Sequence, residues 1–365
     1  MRSLGNDEKF SRRVKDRDYV ETLEGLMFCV VGYLHPPNMY TAYLKYIPSN
    51  EGPWERRGVK YSRVLRRYHV LHVKETFKLL REIYPHYIHY CPVRNITMSM
   101  VPKKYVKRYY FPEIRLKQLL DEGGRDPLER DAVALCEYLS EASGVPLAKW
   151  GVTGSILLGI HNPNFSDIDL TVYGLREAKA VREFLMSSIS DKSTPIRRLK
   201  NVELKEWCER QAKEFRLVSK DFWSIALRRW NYGYFRGKRY FSIHPIREDS
   251  EIKERYGEKK FINMGAIEGT ATIADSSESL FLPAVYRVED VVITKGKQVN
   301  DVKELVSYEG VFCDMAEEGE KVRFRGKLEK VVNSSGTEYY RVLVGSTEVG
   351  YGYILRTRNP SIKLP

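Results

Sequence analysis

The chain has 365 residues, of which 42% are hydrophobic and 30% charged, so it can bury a sizeable core in two or three domains. Its formal net charge is +13. No apolar run approaches the ~20 residues of a membrane-spanning helix, so no contact with a membrane is expected.

The cysteines give a first indication of the cellular compartment. Five of them, at positions 29, 91, 136, 208 and 313, are separated by long gaps and form no Cys-x-x-Cys pair. This pattern favours neither a zinc site nor a disulfide framework. We therefore expect a reduced protein of the cytoplasm.

The first region, residues 1–115, is predicted to be a basic α+β region. Strand-like residues flank a turn at residues 35–38, and residues 73–84 ("VKETFKLLREIY") have the apolar spacing of a helix. Residues 54–118 contain sixteen Lys and Arg against four Glu, a net charge of +12. This one segment therefore carries nearly all of the net positive charge of the chain.

Two interpretations of the basic segment are open. Its field attracts phosphate, and its eight tyrosines offer rings on which unpaired RNA bases stack. The candidate RNA-binding residues are Arg66, Arg67, Lys103, Lys104, Lys107 and Arg108. Alternatively, the tyrosines pack internally, and the cations dock against residues 266–358, which have twelve basic and fifteen acidic residues.

The second region, residues 116–262, has clear signals for helix ends. Asp126 is a predicted N-cap, with Pro127 at the first helical position and Glu129 reaching back. Further helices are predicted over residues 175–188, 202–215 and 219–230, and a hairpin over residues 232–246 ("YGYFRGKRYFSIHPI"). The third region, residues 263–365, has alternating strands and is predicted to be a small all-β barrel or sandwich.

Residues 151–174, "GVTGSILLGIHNPNFSDIDLTVYG", have the strongest chemical signal. A short strand would end at a corner made by Gly154, and Ser155 would open a short helix. Helix starts present free N–H groups that favour phosphate, and glycine permits close approach to the backbone. Gly154 and Ser155 are therefore candidate phosphate-binding residues.

Two aspartates follow on a predicted strand over residues 166–172. Side chains at i and i+2 share a face of a strand, so Asp167 and Asp169 point the same way while Ile168 and Leu170 face the core. Two such carboxylates repel each other unless a cation lies between them. Mg²⁺ suits hard oxygen ligands, and we predict that Asp167 and Asp169 bind it beside the phosphate corner.

This arrangement resembles the minimal nucleotidyltransferase superfamily, which includes DNA polymerase β and the poly(A) and CCA-adding polymerases. The pattern is Thr153-Gly154-Ser155, eleven residues, then Asp167-Ile168-Asp169-Leu170. The whole chain also resembles a group of archaeal predicted nucleotidyltransferases, through an "EG…HPP" stretch near the N-terminus and "FSIHP" at residues 241–245. The resemblance implies a nucleotidyltransferase-like mixed sheet with flanking helices in the second region, within an α+β chain.

The pattern departs from the superfamily at the third carboxylate, which active members carry on a neighbouring strand. Here "RYFSIHPI" offers Ser242 and His244 instead. His244 or Asp249 substitutes for the acid, a partner supplies it, or the domain binds nucleotide without catalysis. We assign Asp167, Asp169 and His244 as the candidate catalytic residues.

A basic cluster precedes this strand. The residues that could grip a triphosphate or an RNA backbone are Arg228, Arg229, Arg236 and Arg239. The alternative is a solvated helix end and hairpin. Together with these residues, the resemblance implies Mg²⁺-dependent transfer of a nucleoside monophosphate from a nucleoside triphosphate, expected to be ATP, to an unknown acceptor. RNA is one candidate acceptor. The alternative function is nucleotide or RNA binding without catalysis on the same fold.

Overall fold

The computed structural model describes residues 12–65, 69–188 and 193–357. Within these residues, three β-sheets of eight, five and six strands follow one another in sequence, with helices around the second. This mixture of helices and separate sheets confirms the predicted α+β class. Within the described ranges, no helix combines the length and the apolar character needed to cross a membrane.

The first sheet is antiparallel and has the strand order β4-β5-β3-β2-β1-β8, with β7 joining β3 to β6. Its strands are β1 (Tyr19–Thr22), β2 (Met27–Val30), β3 (Met39–Pro48), β4 (Trp54–Arg56), β5 (Val59–Arg63), β6 (Ile88–Cys91), β7 (Ile96–Pro102) and β8 (Val106–Tyr110). Helix α1 (Val70–Ile83) lies between β5 and β6. The strands predicted on either side of the turn at residues 35–38 are β2 and β3, which pair with each other, and the predicted helix is α1.

The first sheet buries apolar side chains on two sides. One cluster contains Phe28, Leu44 and Leu80 of α1. A second cluster contains Tyr19 and other residues of the sheet together with Leu157, which belongs to the second region. Burial of this second cluster fixes the first sheet against the corner that follows residue 153.

The second sheet has the order β11-β12-β13-β10-β9, in which β10 and β13 are parallel. Its strands are β9 (Trp150–Val152), β10 (Ile168–Tyr173), β11 (Ile196–Arg197), β12 (Tyr232–Phe235) and β13 (Arg239–Ile246). The helices of this region are α2 (Pro112–Glu122), α3 (Pro127–Ser143), α4 (Gly154–Leu158), α5 (Leu175–Ser187), α6 (Asn201–Phe215) and α7 (Ser219–Arg228). The predicted hairpin over residues 232–246 is β12–β13.

Local signals fixed the start of α3. The carboxylate of Asp126 accepts hydrogen bonds from the backbone N–H groups of Leu128 and Glu129, as a predicted N-cap should. Glu129 reaches back by one residue more than predicted, to the backbone N–H of Arg125, and also binds Arg115. Its side chain therefore joins α3 to α2.

The third sheet contains β14 (Lys259–Asp275), β15 (Ala284–Lys295), β16 (Val302–Ser307), β17 (Lys321–Asn333), β18 (Glu338–Val344) and β19 (Tyr353–Arg356). The first five pair in the circuit β14-β15-β16-β18-β17, and β17 pairs again with β14. The pairing of β16 with β18 is parallel and the others are antiparallel. Helices α6 and α7 pack onto this sheet, because Trp207, Phe215 and Phe222 share one core with Phe324.

Two predicted boundaries fall inside elements of the structure. Residues 115 and 116 both lie in α2, and residues 262 and 263 both lie in β14. Helices α6 and α7, which the prediction placed in the second region, bury their apolar faces in the core of the third sheet. Tertiary packing, which has no local sequence signal, decides this assignment.

Candidate active site

The corner between β9 and α4 lies directly against Asp169. Gly154 has a φ of +67°, in the left-handed region that favours glycine. A Cβ added there would lie 2.4 Å from Asp169 Oδ2. The backbone N–H of Thr153 also donates to the Asp169 carbonyl oxygen at 2.8 Å. Glycine is therefore required here by the turn and by the carboxylate, and buried Ser155 follows at the start of α4.

The parallel pairing of β10 with β13 brings three candidate residues together. Asp169 lies opposite Ser242, and His244 lies two residues further along the same face of β13. Ser242 Oγ donates a hydrogen bond to Asp169 Oδ1. His244 Nε2 lies 2.8 Å from Ser242 Oγ and 3.8 Å from Asp169 Oδ1. The structure therefore places His244 close to Asp169, on the strand that pairs with β10.

The hydrogen-bond pattern defines the tautomer of His244. The single hydroxyl hydrogen of Ser242 is donated to Asp169, so the contact between Ser242 and His244 requires a hydrogen on Nε2 of the imidazole. Nδ1 then carries the lone pair. Burial and the charge of Arg17 lower the pKa of His244 to about 4, although its interaction with Asp169 opposes that shift. The imidazole is therefore neutral at pH 7, with a basicity close to that of a carboxylate.

The two aspartates have pKa values shifted in opposite directions. Desolvation by the surrounding protein and the charge of Asp169 raise the pKa of Asp167 to about 6. Burial also raises the pKa of Asp169, but its interaction with His244 and the charge of Lys45 outweigh it and hold that pKa well below its usual range. Asp169 is thus ionised at all physiological pH values, and Asp167 is the carboxylate that takes up a proton as the pH falls.

The donor set at β10 suits a hard divalent cation. Asp167 is exposed and Asp169 half-buried, and the charge of Asp169 disfavours ionisation of Asp167. A cation between them would relieve this repulsion. Two carboxylates that leave positions for water and phosphate oxygens are the ligands that Mg²⁺ takes in nucleotide sites. Asp167 and Asp169 therefore fit the predicted Mg²⁺.

A second group of potential ligands lies elsewhere, at the start of α3. Asp126, Glu129 and His161 have ligand atoms within 4.8 Å of one another. His161 Nε2 is 2.7 Å from Asp126 Oδ2, and the other contacts of the two acids are those of the α3 cap and of Arg115. Protein groups therefore account for this cluster, and it is explained by the helix start.

Lys45 reaches the acidic site from the first sheet, and it is a residue that sequence reasoning missed. Met27 pairs with Tyr46 and Phe28 pairs with Leu44, so Lys45 is the extra residue of a β-bulge between β2 and β3. Its side chain is 4% exposed, and its charge lowers the pKa of both Asp167 and Asp169.

A lysine in the otherwise apolar run of β3 was the available signal for this site. Its ammonium donates to Tyr19 Oη at 2.7 Å, which holds it at the face of the sheet that packs on α4. Two arginines also act on the site, since Arg63 lowers the pKa of Asp167 and Arg17 lowers that of His244. The candidate active site therefore combines acids of the second sheet with cations of the first region.

The four arginines predicted to grip phosphate lie in different surroundings. Arg228 binds the carboxylate of Glu320 through both Nη atoms. Arg239 donates to Asp131 at 3.0 Å, and Arg236 lies 3.7 Å from the same carboxylate. Arg229 instead lies over the ring of Tyr232, with Cζ 3.8 Å from its centroid. The other three arginines have carboxylate partners within the protein.

The predicted RNA-binding cations lie on the first sheet where the structure describes them. Lys103 and Lys104 lie between β7 and β8, over the rings of Tyr40 and Tyr105. Lys107 lies 3.4 Å from Glu21, and Arg108 is exposed in β8. Arg66 and Arg67 lie outside the described residues.

The tyrosines of the basic segment differ in exposure. Tyr87 is fully buried, and Tyr61 is 4% exposed, so neither offers a face to an RNA base. Tyr90 is 60% exposed. The interpretation as a packed core therefore holds for Tyr61 and Tyr87, and the exposed ring of Tyr90 keeps the RNA interpretation open.

Asp249, the other possible substitute for the third acid, binds residues outside the candidate active site. It forms an ion pair with Lys15 and accepts a hydrogen bond from the backbone N–H of Arg13. These contacts tie it to the segment that precedes β1. Of the two residues considered for the missing carboxylate, the structure brings His244 to Asp169.

Comparison with known proteins places the chain in a family. Over 354 residues it is 31% identical to the uncharacterized protein MJ1086 of Methanocaldococcus jannaschii, and the match covers 95% of this chain and 99% of that protein. The chain therefore belongs to the same family as that protein. No family model matches the chain, and no solved structure matches it.

Proposed function

We propose that the protein is a Mg²⁺-dependent nucleotidyltransferase of the polymerase β-like superfamily, which transfers a nucleoside monophosphate from a nucleoside triphosphate, expected to be ATP, to an acceptor. The observation that carries this proposal is the position of Asp169, between the Gly154 corner on one side and Ser242 and His244 on the other. A like-charged pair of carboxylates beside a tight backbone corner suits in-line transfer of a phosphoryl group.

The donor nucleotide would bind between the two sheets. Asp167 and Asp169 would hold Mg²⁺, which when bound neutralises charge on the phosphates of the nucleotide. Lys45 and Arg63 contribute positive charge on the side of the first sheet. The backbone at residues 154–155 would contact a phosphate. Cations fixed before the substrate arrives stabilise negative charge without reorganising during the reaction.

The acceptor hydroxyl would approach from the side of β13. In the transfer step, an acceptor oxygen forms a bond to the α-phosphorus while the bond from that phosphorus to the pyrophosphate oxygen breaks. The hydroxyl proton passes to the imidazole of His244, and from there to solvent. A neutral imidazole with a pKa of about 4 has the proton affinity of the carboxylate that other members use, without its negative charge.

The finer architecture and the location belong to the same proposal. The second sheet, with its corner, acidic strand and parallel neighbour, would be the nucleotidyltransferase-like sheet. The closed circuit of strands in residues 259–344 would be a five-stranded Greek-key barrel, an architecture on which oligonucleotide-binding domains are built. This supports RNA as an acceptor candidate. All five cysteines are free thiols, which supports a location in the cytoplasm.

One observation favours a second candidate function, which is nucleotide binding without catalysis. Ser242 of β13 pairs with Asp169 and His244 is the next residue on the same face, so Mg²⁺ would find two carboxylates at this site rather than three. A site with less negative charge holds a metal nucleotide but activates the acceptor less strongly. The two functions differ only in whether covalent transfer follows binding.

The experiment is transfer of label from α-labelled ATP to bulk RNA or to small acceptors, with and without Mg²⁺. We expect Mg²⁺-dependent labelling that is lost in the Asp169→Asn variant and retained in the Asp121→Asn variant, which changes an exposed acid on α2. Saturable Mg²⁺-ATP binding without any labelling would support the second candidate. Absence of both binding and labelling would overturn the proposal.

A further inference from the structure

A cavity of about 140 Å³ lies between α6, α7 and the start of β12. Three cationic and two aromatic side chains contribute to its wall, namely Arg198, Lys200, Trp207, Arg229 and Tyr232. No acidic residue lines it among the residues that the structure describes. The remaining wall is aliphatic, so the cations supply the electrostatic character of the cavity.

The two arginines of this cavity are held in place by neutral groups. Arg198 Nη2 donates to the carbonyl oxygens of Ala226 and Arg229, at 3.3 and 2.6 Å. Arg229 Cζ lies 3.8 Å from the ring centroid of Tyr232 and 5.0 Å from that of Trp207. Within the described ranges, no carboxylate oxygen lies within 4.0 Å of the side-chain nitrogens of Arg198, Lys200 or Arg229. Burial without an opposite charge lowers the pKa of Arg198.

The arginines that precede these two in sequence, Arg197 and Arg228, differ from them because they bind carboxylates. Arg197 binds Glu203 through both Nη atoms, and Arg228 binds Glu320 in the same way. Adjacent residues of the same type therefore differ in one respect, which is whether the protein provides a carboxylate. Half-buried charges left without a counter-ion are expensive, so an anion from outside the chain is the expected partner.

The cavity is next to the acidic site. Tyr232 pairs with Ser242 across β12 and β13, and Ser242 binds Asp169. The ring of Tyr240 lies 6.2 Å from that of Tyr232, and the charges of Arg229 and Asp167 both act on the pKa of Tyr240. Tyr232, Ser242 and Asp169 therefore lie side by side on one face of the second sheet, so the cavity and Asp169 are separated by a single strand.

We infer that this cavity binds a phosphate group of the acceptor substrate. The inference rests on the proposed function, since it assigns the donor nucleotide to the side of Lys45 and the acceptor to the side of β12. Three cations around one small cavity match a dianion better than a carboxylate, and guanidinium groups bind phosphate oxygens in pairs. The first residue of α6 lies beside Lys200, so the positive end of the helix dipole adds to the field.

The test uses inorganic phosphate as the probe, in titration calorimetry on the full chain without nucleotide. The Arg198→Ala and Arg229→Ala variants should each bind phosphate at least tenfold more weakly than the wild type. The matched controls are Arg197→Ala and Arg228→Ala, which remove the neighbouring arginines that have carboxylate partners, and these should bind like the wild type. Lys200→Ala changes an exposed side chain and should not disturb folding. It should also weaken phosphate binding, so it serves as the test if an arginine variant is unstable.

Two further arms identify the source of the phosphate and separate this inference from the proposed function. Ribose 5-phosphate and a 5′-phosphorylated oligoribonucleotide are titrated in separate experiments. The inference is supported if the wild type binds at least one of them and the Arg229→Ala variant does not. The Asp169→Asn variant should lose Mg²⁺-ATP binding and keep phosphate binding at the cavity. The inference is overturned if the wild type binds no phosphate at ~10 mM, or if the Arg198, Arg229 and Lys200 variants all bind it like the wild type.

Discussion

The second sheet and the first sheet contribute to the candidate active site in different ways. In the second sheet, Asp169, Ser242 and His244 are fixed by strand pairing and bind one another directly. In the first sheet, Lys45 reaches the same place through a β-bulge and through the packing of Tyr19 on α4. Asp169 is therefore positioned by the pairing of strands within one sheet, and Lys45 by the packing of another sheet against α4.

The comparison also shows what happens to the net positive charge of residues 54–118. Arg56 binds Glu21, and Arg115 binds Glu129, so part of the positive charge of residues 54–118 is neutralised within the protein. Lys45 lies outside that segment and yet acts on both aspartates. Regional net charge is thus a poor guide to which cation serves a site.

The largest effect is expected in the second sheet, from Asp169→Asn. Label transfer should fall roughly 10³-fold, because the charge stabilisation that a metal provides is worth several kcal/mol. The free energy of unfolding should fall by about 1–2 kcal/mol, since hydrogen bonds to a charged acceptor are weakened. Transfer assays and urea unfolding check both values.

Asp167→Asn is the matched comparison for that variant. It should impair transfer strongly without lowering the free energy of unfolding, because asparagine removes the repulsion between the two carboxylates. If both variants unfold readily and still bind Mg²⁺-ATP, the acids serve the structure and the site lies elsewhere.

The corresponding change in the first sheet is Lys45→Met. Removing this charge should raise the pKa of Asp169 and of Asp167 and lower transfer about tenfold. Carboxylate titration by NMR measures the first effect. Lys60→Met, an exposed lysine of β5, is the control. Unchanged aspartate titration in the Lys45 variant would show that the first sheet does not act on the site.

RNA binding by the first sheet is tested by charge reversal at Lys103, Lys104 and Arg108. Affinity for single-stranded RNA should fall severalfold, and the log–log dependence on salt should flatten by about 0.7 for each phosphate that the variant no longer neutralises. Reversal of three exposed cations elsewhere, Lys205, Arg210 and Lys220, should change affinity less. Equal binding by all three proteins, measured by fluorescence anisotropy, would remove RNA from this surface.

The corner of the second sheet is tested by Gly154→Ala. Gly123 has a similar φ, +77°, but no atom within 4 Å of an added Cβ, whereas at Gly154 the added Cβ meets the Asp169 carboxylate. Gly154→Ala should therefore lower the free energy of unfolding by about 1 kcal/mol more than Gly123→Ala does. Equal losses would mean that Asp169 moves aside without penalty.

The smallest effect is the pH dependence of stability in metal-free protein. The pKa of Asp167 is raised to about 6, so the native state binds this proton more tightly than the unfolded chain does. The stability that this group contributes is present at low pH and is lost as the pH rises through 6. Asp167→Asn should therefore gain stability relative to the wild type between pH 4 and 7, measured in chelator, while Asp121→Asn should not.

Local elements could be read from the sequence because each depends on neighbouring residues. Asp126 caps α3, residues 232–246 form a hairpin, and Ile168 and Leu170 are fully buried in β10. The expected strand began at residue 166, but pairing starts at Ile168, so Asp167 lies in the preceding loop. That shift makes Asp167 the exposed acid of the pair.

What the sequence determined by itself was the acidic strand, the glycine corner and the α+β class, because turn chemistry and strand periodicity act over a few residues. The tertiary structure decided which side chains meet these acids. Lys45 acts on both aspartates from a distant part of the chain. The carboxylates that bind Arg228 and Arg239 are also distant in sequence. Such pairings depend on the burial of whole faces, which local periodicity does not encode.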